Sequence, residues 1–183
     1  MANVITAVVT DDARKFWPQF IIGSYPVRTL FAGGYFKIGE GGWIDTGTGR
    51  VPRTPSPSLR NLSTGLQDID SLVDASRNPV DQRYQPDERF SFEKALVVTD
   101  IAFVSPATIQ CTCSLTTLEP PGNDDGFGNS PSFYEIGLFT DHPDFPGSEK
   151  LMVAYGIFPV QVKTVSRPLE NIVLVTFGAP SQE

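Results

Sequence analysis

One histidine, His142, and two cysteines, Cys111 and Cys113, are all that the 183 residues offer of the side chains that most often carry nucleophilic catalysis or bind zinc. Any Ser-His-Asp or Cys-His arrangement would have to use that one imidazole, and it stands in Asp141-His142-Pro143-Asp144, a string of turn formers. A typical zinc set needs more ligands than the sequence supplies. In a strand, two residues separate Cα atoms by about 6.6 Å, near the upper limit for a disulfide, and the side chains run parallel. Cys111 and Cys113 therefore read as two buried thiols rather than a bridge. Basic charge is scarce as well: 14 Lys and Arg against 21 Asp and Glu give a net charge of −7, which repels a phosphate backbone and speaks against nucleic acid as a partner. Long hydrophobic runs are missing too. The opening MANVITAVVTDDARK has no basic region before its short apolar run, so it reads as neither a signal peptide nor a membrane anchor, and the expected product is soluble and made in the cytoplasm.

Motifs of chemistry are incomplete. GEGG and GTGRVP finish neither GxGxxG nor GxxxxGKS. The acids lie scattered through loops rather than as a carboxylate pair facing a cleft. PPGNDDGFGNSP offers oxygens for calcium from Asn123, Asp124, Asp125 and Asn129, but lacks the D-x-[DN]-x-[DN]-G order and the Glu at the twelfth position; it reads as a hairpin loop. No catalytic residue, cofactor, metal or small-molecule substrate is expected.

What is present is a β pattern. TIQCTCSL alternates apolar and hydroxyl-bearing residues over eight positions. KALVVTDIAFV is more uniformly apolar, as in a strand covered on both faces, and Ser105-Pro106 ends it. LMVAYGIFPVQVKTV and NIVLVTFGAP add further strands. Thr10 followed by Asp11 and Asp12 reads as the N-cap and first turn of a two-turn helix that Pro18 stops. Residues 39–89 change character: GEGGWIDTGTGRVPRTPSPSLRNLSTG is rich in Gly, Pro, Ser and Thr, and its prolines favour extended chain. Within it, Leu66, Ile69, Leu72 and Val73 recur at helical spacing. The expected fold is mainly β, an antiparallel β-sandwich or open barrel. It has a short N-terminal helix, a long extended arm, and one short helix within the arm. Residues 1–38 and 90–178 form the single domain, 39–89 the arm, and 179–183 a tail.

The stretch FYEIGLFTDHPDFPGSEKLMVAYGIFP, residues 133–159, reads as a hairpin: strand FYEIGLF, polar excursion TDHPDFPGSEK, strand LMVAYGIFP. It resembles the EIGLF…AYG.FP hairpin of bacteriophage tail-collar fibre proteins and related tail and baseplate components. The early VIT segment, short helix and FKIGEGG resemble that family more loosely. Physically, Tyr134, Ile136 and Leu138 are expected to face the core with Glu135 pointing outward, and Gly137 and Gly156 to permit close approach of a neighbour.

The resemblance implies a non-catalytic virion subunit that works by assembly. Family members continue into a shaft and receptor-binding tip, whereas this sequence ends six residues after Phe177, which suits an adaptor, collar or baseplate subunit. The expected partners are copies of itself, as a closed homo-oligomer, and other virion structural proteins, with no membrane partner; the place is the virion, after synthesis in the host cytoplasm. A capsid decoration protein and a carbohydrate-binding module using Trp43 or Tyr35 are the alternatives. The expected partner-binding residues are Trp43, Leu59, Leu62, Leu66, Ile69, Leu72 and Val73 of the arm, with Glu135, Gly137 and Gly156 of the hairpin; residues 45–62 are expected to order on a neighbour.

Overall fold

The structure, a computed structural model, describes residues 2–21, 34–39, 41–45, 50–52, 54–55, 57–62, 91–105, 107–119, 132–142, 144–164 and 168–177. In chain order these form β1 (Asn3–Val9), α1 (Asp11–Ile21), β2 (Tyr35–Gly39), β3 (Trp43–Asp45), β4 (Arg50–Pro52), β5 (Ser91–Ala95), β6 (Ile101–Ser105), β7 (Thr108–Leu115), β8 (Ser132–His142), β9 (Phe145–Val162) and β10 (Leu169–Thr176). The fold is mainly β, with eight strands in one sheet of order β5-β2-β8-β9-β1-β10-β7-β6 curled into a half-barrel, and β3 and β4 as a separate hairpin.

The curl follows from chain length. β5 and β6 lie at opposite edges of the strand order, yet only Leu96–Asp100 join them, and so short a connection spans at most about 20 Å. The two edges must therefore come together. Lysines bridge the seam: Lys94 Nζ, on β5, donates to the Ser114 carbonyl at 2.9 Å and to Glu119 Oε2 at 2.7 Å. The Thr116 amide also donates to Glu119, at 2.8 Å. Beside it, the buried Lys163 donates to the carbonyls of Thr117 at 3.2 Å and Thr164 at 2.8 Å. Burial lowers the Lys163 amine from its ordinary value, against the attraction of Glu119.

β1 turns the corner of the half-barrel. Asn3–Ala7 run parallel to β10, while Val8 and Val9 pair antiparallel with β9. The inner face gathers Ile5, Ala7 and Val9 of β1, alternate residues of β7 and β10, and Phe36, Ile38, Phe133, Ile136 and Leu138 into one core. Each such fully buried side chain contributes about 1.5–3 kcal/mol. Cys111 and Cys113 are free thiols within it; burial, helped by Asp100, pushes Cys111 up to about 12, and burial likewise raises Cys113.

Several local expectations are corrected. The helix runs through Pro18 to Ile21; with proline in its last turn, only one backbone bond, to Arg14, is forfeited. Its N-cap stands as read, for Thr10 Oγ1 accepts the Ala13 amide at 3.2 Å and donates to the Met152 carbonyl, tying α1 to β9. The run KALVVTDIAFV is two strands rather than one: Asp100 closes a turn, its amide bonded to the Val97 carbonyl and its carboxylate to the Val97 amide. β6 is then an exposed edge, not a strand covered on both faces. Two-sided cover belongs to β8, which is buried from Glu135 through Thr140.

Candidate functional site

The hairpin expected over residues 133–159 is β8 and β9. Its ladder extends to His142↔Phe145, so most of the polar excursion is strand and the turn narrows to two residues. Asp141 and Lys150 face each other across it as an ion pair. His142 packs its ring edge-on against Phe16, with centroids 4.8 Å apart, and its Nδ1 accepts the Asp144 amide at 3.2 Å.

Glu135 lies on the face opposite Ile136 and Leu138, as expected, but that face is covered there rather than open to solvent. Of the three residues expected on the core face, the register shift between Phe133 and Glu135 displaces Tyr134, which meets the Trp43 ring instead, and leaves the facing of Glu135 unchanged. The carboxylate is fully buried on the convex face, where Oε2 accepts the Tyr155 hydroxyl at 2.7 Å. Gly42 closes over this pair. Its φ is 87°, a conformation glycine adopts without strain. A Cβ there would also stand 3.2 Å from Glu135 Cβ and Ile157 Cγ1 and 3.4 Å from the Tyr155 hydroxyl. Position 42 is thus restricted by conformation and by space.

The two hairpin glycines are packing sockets. A Cβ at Gly137 would meet Phe139 Cε2 at 2.8 Å, Leu62 Cδ2 at 3.0 Å and Met152 Sδ at 3.1 Å; at Gly156 it would meet Ile5 Cγ2 at 2.7 Å. Gly137 therefore admits a strap from outside the sheet, and Gly156 admits β1 from within.

That strap lies within the expected arm, after the β3–β4 hairpin. Residues 57–62 fold back on their own domain: the Asp11 amide donates to the Pro57 carbonyl at 2.7 Å, Arg60 Nε lies 2.9 Å from Asp12 Oδ2, and Leu62 is fully buried. The Lys15 hydrogen bond holds the Asp12 carboxyl below its ordinary value, against burial and with help from Arg60. Leu62 forms a second cluster with Phe139, Met152 and Tyr155, edged by Tyr35, Leu59 and Ile157. Leu59 and Leu62 thus pack in cis rather than waiting for a neighbour. Leu66, Ile69, Leu72 and Val73, with the helix expected there, lie outside the described residues, as do the calcium-like string at 120–131 and the tail.

The aromatic candidates are also engaged within the chain. The half-buried Trp43 meets Tyr134 edge-on at 5.7 Å, and Tyr35 stacks on Phe139 at 4.9 Å with the Lys150 ammonium 5.6 Å from its ring centre. Tyr35 is pushed up to about 12 by burial, aided by Glu93 and Asp141. A half-open cleft of about 350 Å³ beside Asn3, Thr116, Pro168 and Glu170 has that glutamate as its one charged lining residue. Among the described residues, no group of three or more His, Cys, Asp or Glu is placed to hold a metal, and no helix is long and apolar enough to cross a membrane.

Sequence reasoning named Glu135, Gly137, Gly156, Trp43 and Leu62 but missed Tyr155 as the partner of Glu135, Gly42 as its cover, and the Lys94–Glu119–Lys163 seam. The double glycine before Trp43 was the available signal for the cover. The seam joins residues far apart in sequence and had none. Comparison with protein-family models, with curated proteins and with solved structures finds no match.

Proposed function

We propose that the chain is a non-enzymatic structural protein of a bacteriophage virion: a tail, collar or baseplate subunit that joins fibres or neighbouring tail proteins by assembling with copies of itself and with other virion proteins. It is made in the host cytoplasm and resides in the particle. One observation carries the reading. The marked residues of the hairpin that resembles tail-collar proteins all serve packing: Glu135 holds Tyr155 under Gly42, Gly137 seats Leu62, and Gly156 seats Ile5. A buried carboxylate enclosed in this way suits a rigid building block, because a fully paired polar group inside an apolar shell fixes one arrangement of the strands around it.

The test is the location of the chain in purified native particles by mass spectrometry and electron microscopy. Density for the chain in the tail or baseplate is the expected result. Density on the capsid surface would replace this reading with that of a decoration protein, and absence from purified particles would refute both.

A further inference from the structure

The convex wall of the half-barrel is finished differently on its two halves. Over β8 and β9 it is apolar and roofed by Leu59 and Leu62. Over β1, β10 and β7 no described residue roofs it, and register aligns its outward side chains in rows: Val4 beside Ile172 and Thr112, then Thr6 beside Leu174 and Gln110. Val4 is 64% exposed.

This second half is almost free of charge. Three outward positions on β1, four on β10 and four on β7 make eleven, and Glu170 is the one charged residue among them. A solvated surface usually carries 25–35% charged residues, so about three would be ordinary for such a face. β-Branched and hydroxyl side chains standing in rows on a sheet are also what a second sheet packs against, face to face at about 10 Å.

We propose that this wall is an interface between two copies of the chain, stacked sheet on sheet through β1, β10 and β7. The inference deepens the assembly reading above and rests on it for the choice of a second copy. Two further arguments favour that occupant. With a net charge of −7 on each chain, two copies repel at close range unless the touching faces are uncharged; here the wall lets the charges remain at the rim, where salt screens them within about 8 Å. The area also suffices. Three strands and the adjoining edge of β6 cover about 19 by 26 Å, or about 500 Å² in projection. Two such faces bury about 1,000 Å², and side-chain corrugation carries that into the lower range of specific interfaces. A two-fold contact of this kind is self-complementary and can recur within a larger closed assembly.

The test places a carboxylate in the wall. Val4→Glu and Thr6→Glu each alter an exposed side chain, and Val51→Glu, on the separate β3–β4 hairpin, is the control. Light scattering coupled to gel filtration should show the full-length parent and the control at twice the chain mass or an even multiple. Both wall variants should lose that association by at least one two-fold step, while circular dichroism stays at the parent's. A parent that stays monomeric at every concentration overturns the proposal, and so does a folded wall variant that keeps the parent's mass. Location in the particle is measured separately, so the wall can fail while the virion reading stands, and the reverse.

Discussion

Replacing Leu62 by alanine should reveal to which domain the strap belongs. Leu62 is fully buried among Phe139, Met152 and Tyr155, and Leu→Ala at such a site costs about 2–5 kcal/mol. Gly137→Ala is the complementary perturbation. Its methyl would stand 2.8–3.1 Å from Phe139, Leu62 and Met152. Overpacking costs about 1–3 kcal/mol, less the roughly 0.5–1 kcal/mol that alanine gains over glycine in a strand. Together the two changes should cost less than their sum, because truncating Leu62 removes one of the three close contacts and the new methyl fills part of the gap. Residues in contact couple by about 0.5–3 kcal/mol. Urea denaturation of the parent, both single variants and the double variant, with unchanged slopes, measures all four corners. Running the series at two well-separated protein concentrations tests the cis placement directly. A Leu62→Ala cost below about 1 kcal/mol, or additivity within the roughly 0.3–0.5 kcal/mol usual for independent sites, would refute the socket. A cost that depends on concentration would mean that Leu62 sits on a neighbour's sheet.

Two further predictions bear on the corner and the seam. Gly156→Ala should destabilise by about 1–3 kcal/mol, because its methyl would meet Cγ2 of the stiff, β-branched Ile5 at 2.7 Å; in an Ile5→Ala background, which removes that carbon, the same change should cost less in the same urea assay, and an equal cost in both backgrounds would count against the contact. At the seam, burial raises the Glu119 carboxyl, but the Lys94 and Thr116 hydrogen bonds outweigh it, so its pKa is lowered overall. A lowered folded value means that the contribution is present above the unfolded carboxylate range, about 4.3, and is lost as pH falls through the folded value. Glu119→Gln should therefore be less stable than the parent at pH 7, and the difference should shrink on acidification below about pH 4; a difference that persists at low pH would exclude the ion pair as its source.

How much of this was legible depended on whether a residue's neighbours were close in sequence. The alternation of TIQCTCSL predicted β7 and its buried thiols, because one strand with one covered face writes its own period of two. Thr10 predicted the cap because capping is decided within four residues. The hairpin was readable as two strands about a turn, but the bulge that takes Tyr134 out of the core was not, nor was the cover that buries Glu135, which comes from Gly42. Leu62 was visible as an apolar residue in a polar stretch, yet the socket that receives it is built from the absence of a side chain at Gly137, seventy-five positions away. Topology was the least legible element. β1 joins β10 in parallel and β9 antiparallel, so the first strand of the chain stands between the last two. Such pairing depends on long-range contacts whose partners no local pattern specifies, and even the short Leu96–Asp100 connection implies the curl only once β5 and β6 are known to be the two edges of one sheet. The same reasoning bears on the wall over β1, β10 and β7: the scarcity of charge, one glutamate among eleven outward positions, is spread over three strands far apart in sequence and becomes a surface only when register sets Val4 beside Ile172 and Thr112.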